Sequence, residues 1–120
     1  MNHPQNTVTI HPYFKPHPGK LEAFKALFPK FVAQTASEEK CLYYEFTVNG
    51  GEVFWREGYV GGEGVLAHLD NVGELLDEAL KLADLTRLEF HGPAAELDKL
   101  RARCAPLNPA WFVLECGLKR

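Results

Sequence analysis

Two runs rich in β-branched and aromatic residues, Cys41–Asn49 and Glu52–Val60, flank the dipeptide Gly50-Gly51, a pattern that admits little except a β-hairpin. Glycine supplies the positive φ that a two-residue hairpin turn needs. With Gly50 and Gly51 as the turn, Asn49 faces Glu52, Phe46 meets Trp55, Tyr44 meets Glu57, and Glu45 meets Arg56 as an opposite-charge pair. An Asn49-Gly50 turn would change these partners but not which residues share a face. One face holds Leu42, Tyr44, Phe46, Val48, Val53, Trp55, Glu57 and Tyr59; the other holds Cys41, Tyr43, Glu45, Thr47, Phe54, Arg56 and Val60. Both faces carry aromatic area. The expectation is that this chain's helices cover one of them and a second copy of the chain covers the other.

The rest of the chain supplies those helices and the remaining strands. Thr7–Phe14 alternates Val8, Ile10, Pro12 and Phe14 with polar partners and reads as a strand, with Pro12 favouring an edge position or the strand's end. After the turn Lys15–Gly19, apolar residues Leu21, Phe24, Leu27, Phe28, Phe31 and Val32 recur at helical spacing to about Thr35, and Pro29 kinks or splits that helix. Ala36–Lys40 is a polar connection into the hairpin. Gly61-Gly62 breaks the strand, and Glu63–Ala83 reads as a second helix with Val65, Leu69, Val72, Leu76 and Leu80 along one stripe. A strand over Asp84–His91, a short helix opened by Gly92-Pro93 and a last strand over Trp111–Leu118 complete the chain. The order β-α-β-β-α-β with an appended α-β predicts an α+β, ferredoxin-like split βαβ sandwich. Residues 1–120 then form a single domain, with 1–6 a flexible lead-in and 93–120 the appended helix and strand.

With 120 residues, of which 46% are hydrophobic, the chain can build one core without staples. A net charge of −3, without a basic block, argues against nucleic acid and anionic membrane surfaces as partners. Cys41, Cys104 and Cys116 cannot all pair within one chain and show no CxxC spacing, which fits reduced thiols. There is no bilayer-length apolar run, and the start MNHPQN lacks the apolar stretch of a signal peptide. A cytoplasmic protein is the expectation.

The helix start KPHPGKLEAF, the passage TASEEKCLYYEF, the strand EVFWREGY and the helical VLAHL together resemble the antibiotic biosynthesis monooxygenase domain family of dimeric α/β barrel proteins, over roughly residues 7–92. The resemblance implies a homodimer whose sheets face one another, with a cleft between sheet and helices in each subunit. It implies oxidation of small phenolic or quinol molecules by O2 without a cofactor, or, in other relatives, haem degradation or handling of small signalling molecules. Where the family usually has Glu-Pro-Gly before the second strand this chain has Glu38-Glu39-Lys40, which implies a looser turn. Haem-degrading relatives use an asparagine on the first strand, and here that strand offers Thr7, Thr9 and His11 instead.

Two residues stand out as candidate catalysts. His68 falls on the apolar stripe of its helix, where it either moves a proton, orients substrate or ligates haem, or is a satisfied core histidine. Glu57 shares a strand face with aromatics; it is either a base with a raised pKa or a hydrogen-bonded structural carboxylate. Trp55, Tyr44, Tyr59 and Phe46 are candidates to stack on a flat aromatic substrate, or are plain core. Glu45 and Arg56 read as a structural pair. His11 and His17 lack a third ligand at metal-site spacing, so no metal is expected. Gly61-Gly62-Glu63-Gly64 lacks the full dinucleotide-binding pattern. The functional reading is a cofactor-independent monooxygenase acting on a small aromatic molecule, the alternative a dimeric module that binds a small molecule or haem without turnover.

Overall fold

The structure, a computed structural model, describes residues 6–119; most of the expected lead-in lies outside them. Five strands, β1 (Thr7–Pro16), β2 (Cys41–Asn49), β3 (Glu52–Val60), β4 (Ala83–Gly92) and β5 (Ala110–Val113), form one sheet in the order β2-β3-β1-β4-β5. The first four are antiparallel in the split βαβ arrangement, and β5 adds to β4 in parallel. The helices are α1 (Leu21–Lys25), α2 (Phe28–Thr35), α3 (Gly61–Leu80), α4 (Ala94–Asp98) and α5 (Arg101–Cys104), the last followed by a single 3-10 turn, Ala105–Leu107. The architecture is the expected ferredoxin-like α+β fold. No described helix is long and apolar enough to cross a membrane.

The hairpin pairs as its turn chemistry dictates: Asn49 with Glu52, Phe46 with Trp55, Glu45 with Arg56 and Tyr44 with Glu57. Gly50 alone takes the positive φ, 58°, at the first turn position. A bulge between Cys41 and Tyr43 shifts the far end of the ladder.

Several boundaries differ from expectation, each for a tertiary reason. β1 is a central strand, so Pro12 is not at an edge. The β1–β3 ladder skips from the Ile10–Glu57 pair to the Tyr13–Phe54 pair, and the missing proline N–H falls in that gap. Pro29 splits the first helical segment in two and sits in the first turn of α2, where its lack of a donor costs nothing. α3 starts at Gly61, not Glu63, because Gly61 at φ 72° turns the chain from strand into helix without a linker. It ends at Leu80, since Ala83 and Asp84 are drawn into pairing with Pro16 and Lys15. β5 stops at Val113 rather than Leu118: the N–H of Leu114 reaches the carbonyl of Gly92, and there β4 ends, leaving no backbone for further pairing.

The core has two parts. One gathers Phe14, Phe24, Phe31, Val53, Trp55, Val72 and Ala79 beneath α1, α2 and the C-terminal half of α3. The other gathers Val8, Ile10, Tyr59, Val65, Phe90, Leu97 and Leu100 beneath the start of α3 and the appended helices. Alternation places Val8, Ile10 and Phe14 of β1 in this core, while Thr9, His11 and Tyr13 on the opposite face stay partly exposed.

Candidate active site

Between the two parts of the core the packing is incomplete. An apolar cleft of about 530 Å³, counting its mouth, holds about 50 Å³ of free interior space. Ile10, Phe14, Phe31, Trp55, Val72, Leu88 and Phe90 form its body, and Leu76, Leu80, Leu85 and Leu107 also border it. Glu57, His68 and Tyr44 bring the polar atoms.

Each polar side chain is aimed by its element. Glu57 belongs to the helix-facing set of β3 and is 4% exposed; His68 belongs to the apolar stripe of α3 and is 3% exposed. Nε2 of His68 lies 3.6 Å from Oε1 of Glu57, longer than a hydrogen bond. Nδ1 of His68 is 3.0 Å from the carboxylate of Glu38, which fixes that nitrogen as the donor and leaves Nε2 with the lone pair. Asn71, one turn further along α3, donates to the same carboxylate at 2.7 Å and to the carbonyl of Gln34 at 2.9 Å. The side-chain amide of Gln34 returns a bond to the carbonyl of Asn71. On the far side the Tyr59 hydroxyl donates to Oε1 of Glu57 at 2.7 Å. The result is a buried row, Glu38, His68, Glu57, Tyr59, of which the middle two border the cleft.

Burial sets the protonation of the row. Desolvation pushes the Glu57 carboxyl up to about 8; the Tyr59 hydrogen bond opposes this and the negative charge of Glu38 adds to it. Desolvation also lowers the pKa of His68, and it outweighs the charge and hydrogen bond of Glu38, which favour the imidazolium. Both groups are therefore neutral at neutral pH, one holding a proton and the other ready to take one. The Tyr44 and Tyr59 phenols are pushed well above their ordinary range by burial, Glu57 adding to both, so they remain protonated donors.

The candidate residues divide by position. Trp55 and Tyr44 wall the cleft with Glu57 and His68, and the Tyr44 ring meets the His68 ring edge to face at 4.9 Å. The Tyr44 hydroxyl, the Trp55 Nε1 and the Thr35 hydroxyl are buried without a partner of hydrogen-bond geometry, which is unusual in a folded interior. Tyr59 sits behind Glu57, outside the lining. Phe46 is outside it too, stacked on Phe28 at 4.5 Å and set against Trp55 at 4.8 Å. Glu45 and Arg56 pair at 2.9 Å on the exposed face. Glu38 was not among the candidates. It sits in a polar connection thirty residues from His68, with no periodicity to place it; the one signal is that it occupies the glutamate position of the family's Glu-Pro-Gly stretch. The turn that carries it is clamped by His68 and Asn71 rather than loose.

Haem does not fit these residues. The interior space is far too small for a macrocycle, and the lining contains no Lys or Arg to meet propionates.

The fold and this site can be set beside known structures. A crystal structure of MupZ from Pseudomonas fluorescens matches with a TM-score of 0.91 and 45% identity, covering 95% of this chain and 94% of that one. The chain belongs to the antibiotic biosynthesis monooxygenase family. Rv0793 from Mycobacterium tuberculosis shares the fold at a TM-score of 0.64 and 23% identity, over 72% of this chain and 94% of that one. So does a Caulobacter crescentus protein provisionally described as an antibiotic biosynthesis monooxygenase, at 0.65 and 20%, over 72% and 88%. No protein-family model matches the sequence, and no curated protein does. The partial coverage of the two more distant structures contrasts with the near-complete coverage of MupZ.

Proposed function

We propose that the protein is a cofactor-independent monooxygenase that oxidises a small phenolic or quinol molecule with O2, Glu57 and His68 handling the protons. The observation that carries this reading is a buried carboxyl and a buried imidazole 3.6 Å apart on the wall of one apolar cleft. The two residues take different parts. His68 offers an Nε2 lone pair to a phenolic proton, and Glu38 behind it stabilises the imidazolium that results. Glu57, protonated at neutral pH, serves as a donor rather than the base its sequence position suggested. The electron-rich anion reduces O2 itself and combines with it as a carbon-bound peroxide, so the electrons come from the substrate. Loss of the C–H proton at that carbon breaks the O–O bond: one oxygen atom stays as a carbonyl and the other leaves as water. That water takes one proton from Glu57 and one from the imidazolium of His68, while the C–H proton restores Glu57. Trp55 and Tyr44 orient the ring, and the apolar walls exclude water from the anion. An aromatic molecule exceeds the present free space, so binding moves leucines of the lining, with Leu107 on its short exposed turn the least restrained.

The same neutral carboxyl supports a second reading without O2, in which Glu57 protonates a substrate oxygen while His68 activates an attacking group. An oxygen electrode separates the two. With dihydroxynaphthalenes and anthrones as probes, O2 uptake is expected to match substrate loss and to fall ~10²–10⁴-fold in Glu57→Gln and in His68→Ala. Uptake unchanged in both variants would overturn the mechanism. Conversion without uptake supports the second reading, and saturable binding without conversion a binding module.

We further infer that the working unit is a homodimer joined through the open sheet face. Tyr13, Phe54, Tyr43 and Phe112 leave aromatic area there that no helix of this chain covers. Sedimentation is expected to show a dimer that Phe54→Arg dissociates, and a monomeric wild type would end the idea. Three free cysteines support a reducing, cytoplasmic location.

A further inference from the structure

The open face of the sheet, along the seam through which the proposed dimer joins, carries a second cluster of chemistry-bearing side chains, unconnected with the cleft. β1–β4 pairing sets His11 opposite Glu89 and Thr9 opposite His91. Three groups far apart in sequence thereby converge: ligand-capable atoms of His11, Glu89 and His91 all lie within 4.8 Å of one another. The imidazole rings of His11 and His91 are 4.2 Å apart, and His91 Nε2 is 2.8 Å from Oε1 of Glu89.

We propose that His11, Glu89 and His91 bind a divalent transition-metal ion, with zinc the best match. Two imidazoles and one carboxylate are a donor set that zinc accepts at three corners of a tetrahedron, the fourth being left to water or another ligand. Donor atoms around tetrahedral zinc sit about 3.3 Å apart, given bonds of about 2.0–2.1 Å, so modest rotamer changes close the site. Its surroundings resemble the supporting shell of a metal centre. The Thr9 hydroxyl is 2.8 Å from His11 Nε2 and holds that ring. Arg87 occupies Oε2 of Glu89, which leaves Oε1 as a single donor. Phe54 stacks on His11, and Phe112 on His91 at 4.5 Å, limiting both rings to small rotations. The Arg87 guanidinium opposes a second cation, and Glu89 answers it. His17, the other histidine of this stretch, is elsewhere, 3.0 Å from Asp84.

Zinc titration of the chelator-stripped, full-length protein by calorimetry at about pH 7.5 tests the site. One ion per chain is expected, with affinity lowered at least ~100-fold in His11→Gln and in His91→Gln and unchanged in His17→Gln. Far-UV circular dichroism checks that each variant folds; where one histidine variant fails to fold, the other and Glu89→Gln decide. Cobalt substitution should give the intense visible bands of a four-coordinate ion. No saturable zinc binding below about 1 mM, or binding that survives in both histidine variants, would overturn the proposal.

Discussion

On the helix side of the sheet Glu57 lies 3.6 Å from His68; on the open side Glu89 lies 2.8 Å from His91. The residue types are the same, and the strands that carry the two glutamates, β3 and β4, flank the same central strand. The carboxyl pKa values nevertheless move in opposite directions. Glu57 has no cation beside it and is desolvated on all sides, so its pKa rises to about 8. The pKa of Glu89 is lowered by hydrogen bonds from Arg87 first and His91 second. Burial makes one pair a neutral acid and base, while hydrogen-bonding partners keep the other glutamate charged. The helices that cover only one face are thus what gives the two meetings different chemistry.

The most forceful way to test that contrast is to delete the central aromatic of the helix-covered face. Trp55→Ala is expected to lower unfolding free energy by about 3–5 kcal/mol in chemical denaturation, because Phe14, Phe24, Phe31 and Phe46 all pack on that indole. A loss below about 1 kcal/mol would mean the inner face is not a true core.

Next in size is the pH dependence of Glu57. Its folded pKa lies above its unfolded one, so its contribution to stability is fully present below about pH 4.5 and is lost as pH rises through about 8. Glu57→Gln should therefore be more stable than wild type at about pH 9, by on the order of 3 kcal/mol, with the difference shrinking toward about pH 4.5. Thermal melts across that range measure it, and a gap independent of pH would show that Glu57 is not held neutral.

A smaller effect separates charge from position at Glu38. Glu38→Gln keeps an acceptor for His68 Nδ1 and removes the negative charge that raises the ring's pKa. The His68 titration followed by NMR should move to lower pH, with the ring's contacts to Tyr44 and Tyr59 retained. An unmoved titration would make Glu38 a merely structural neighbour. Least of all, Arg56→Ala on the open face breaks an exposed pair with Glu45 and should change stability by less than about 1 kcal/mol, leaving the His68 titration unaltered.

How legible all this was in the sequence depends on the range of the interactions. The hairpin was readable from the turn out to Tyr44 because turn glycines and facing charges are local, but not the bulge beyond it, which sets Cys41 against the core and leaves Leu42 exposed, the reverse of the faces alternation assigns them. The helix-facing set of β3 followed from alternation alone, so Trp55, Glu57 and the His68 stripe could be brought to one side of the sheet before any coordinates. Pro12 was misplaced because nothing near it in the chain says that β1 will have a neighbour on each side. The last strand was overextended because its end is set by where β4 stops. Glu38 and the His11–Glu89–His91 cluster were out of reach for the same reason: their partners arrive through pairing and packing with residues dozens of positions away. Tyr59 and Phe46 shared the right face, yet depth within it decides who borders the cleft, and alternation is silent on depth.

The Glu38 carboxylate has a consequence for turnover. It touches His68 on the inner side, while the connection that carries it, through Ser37 and Glu39, runs along the exposed surface. In the proposed mechanism a proton taken up by the imidazole leaves through the Glu38 side chain, itself 9% exposed, without passing the leucines around the cleft. Molecules and protons would travel by separate doors, so the resting state could be restored while product is still held.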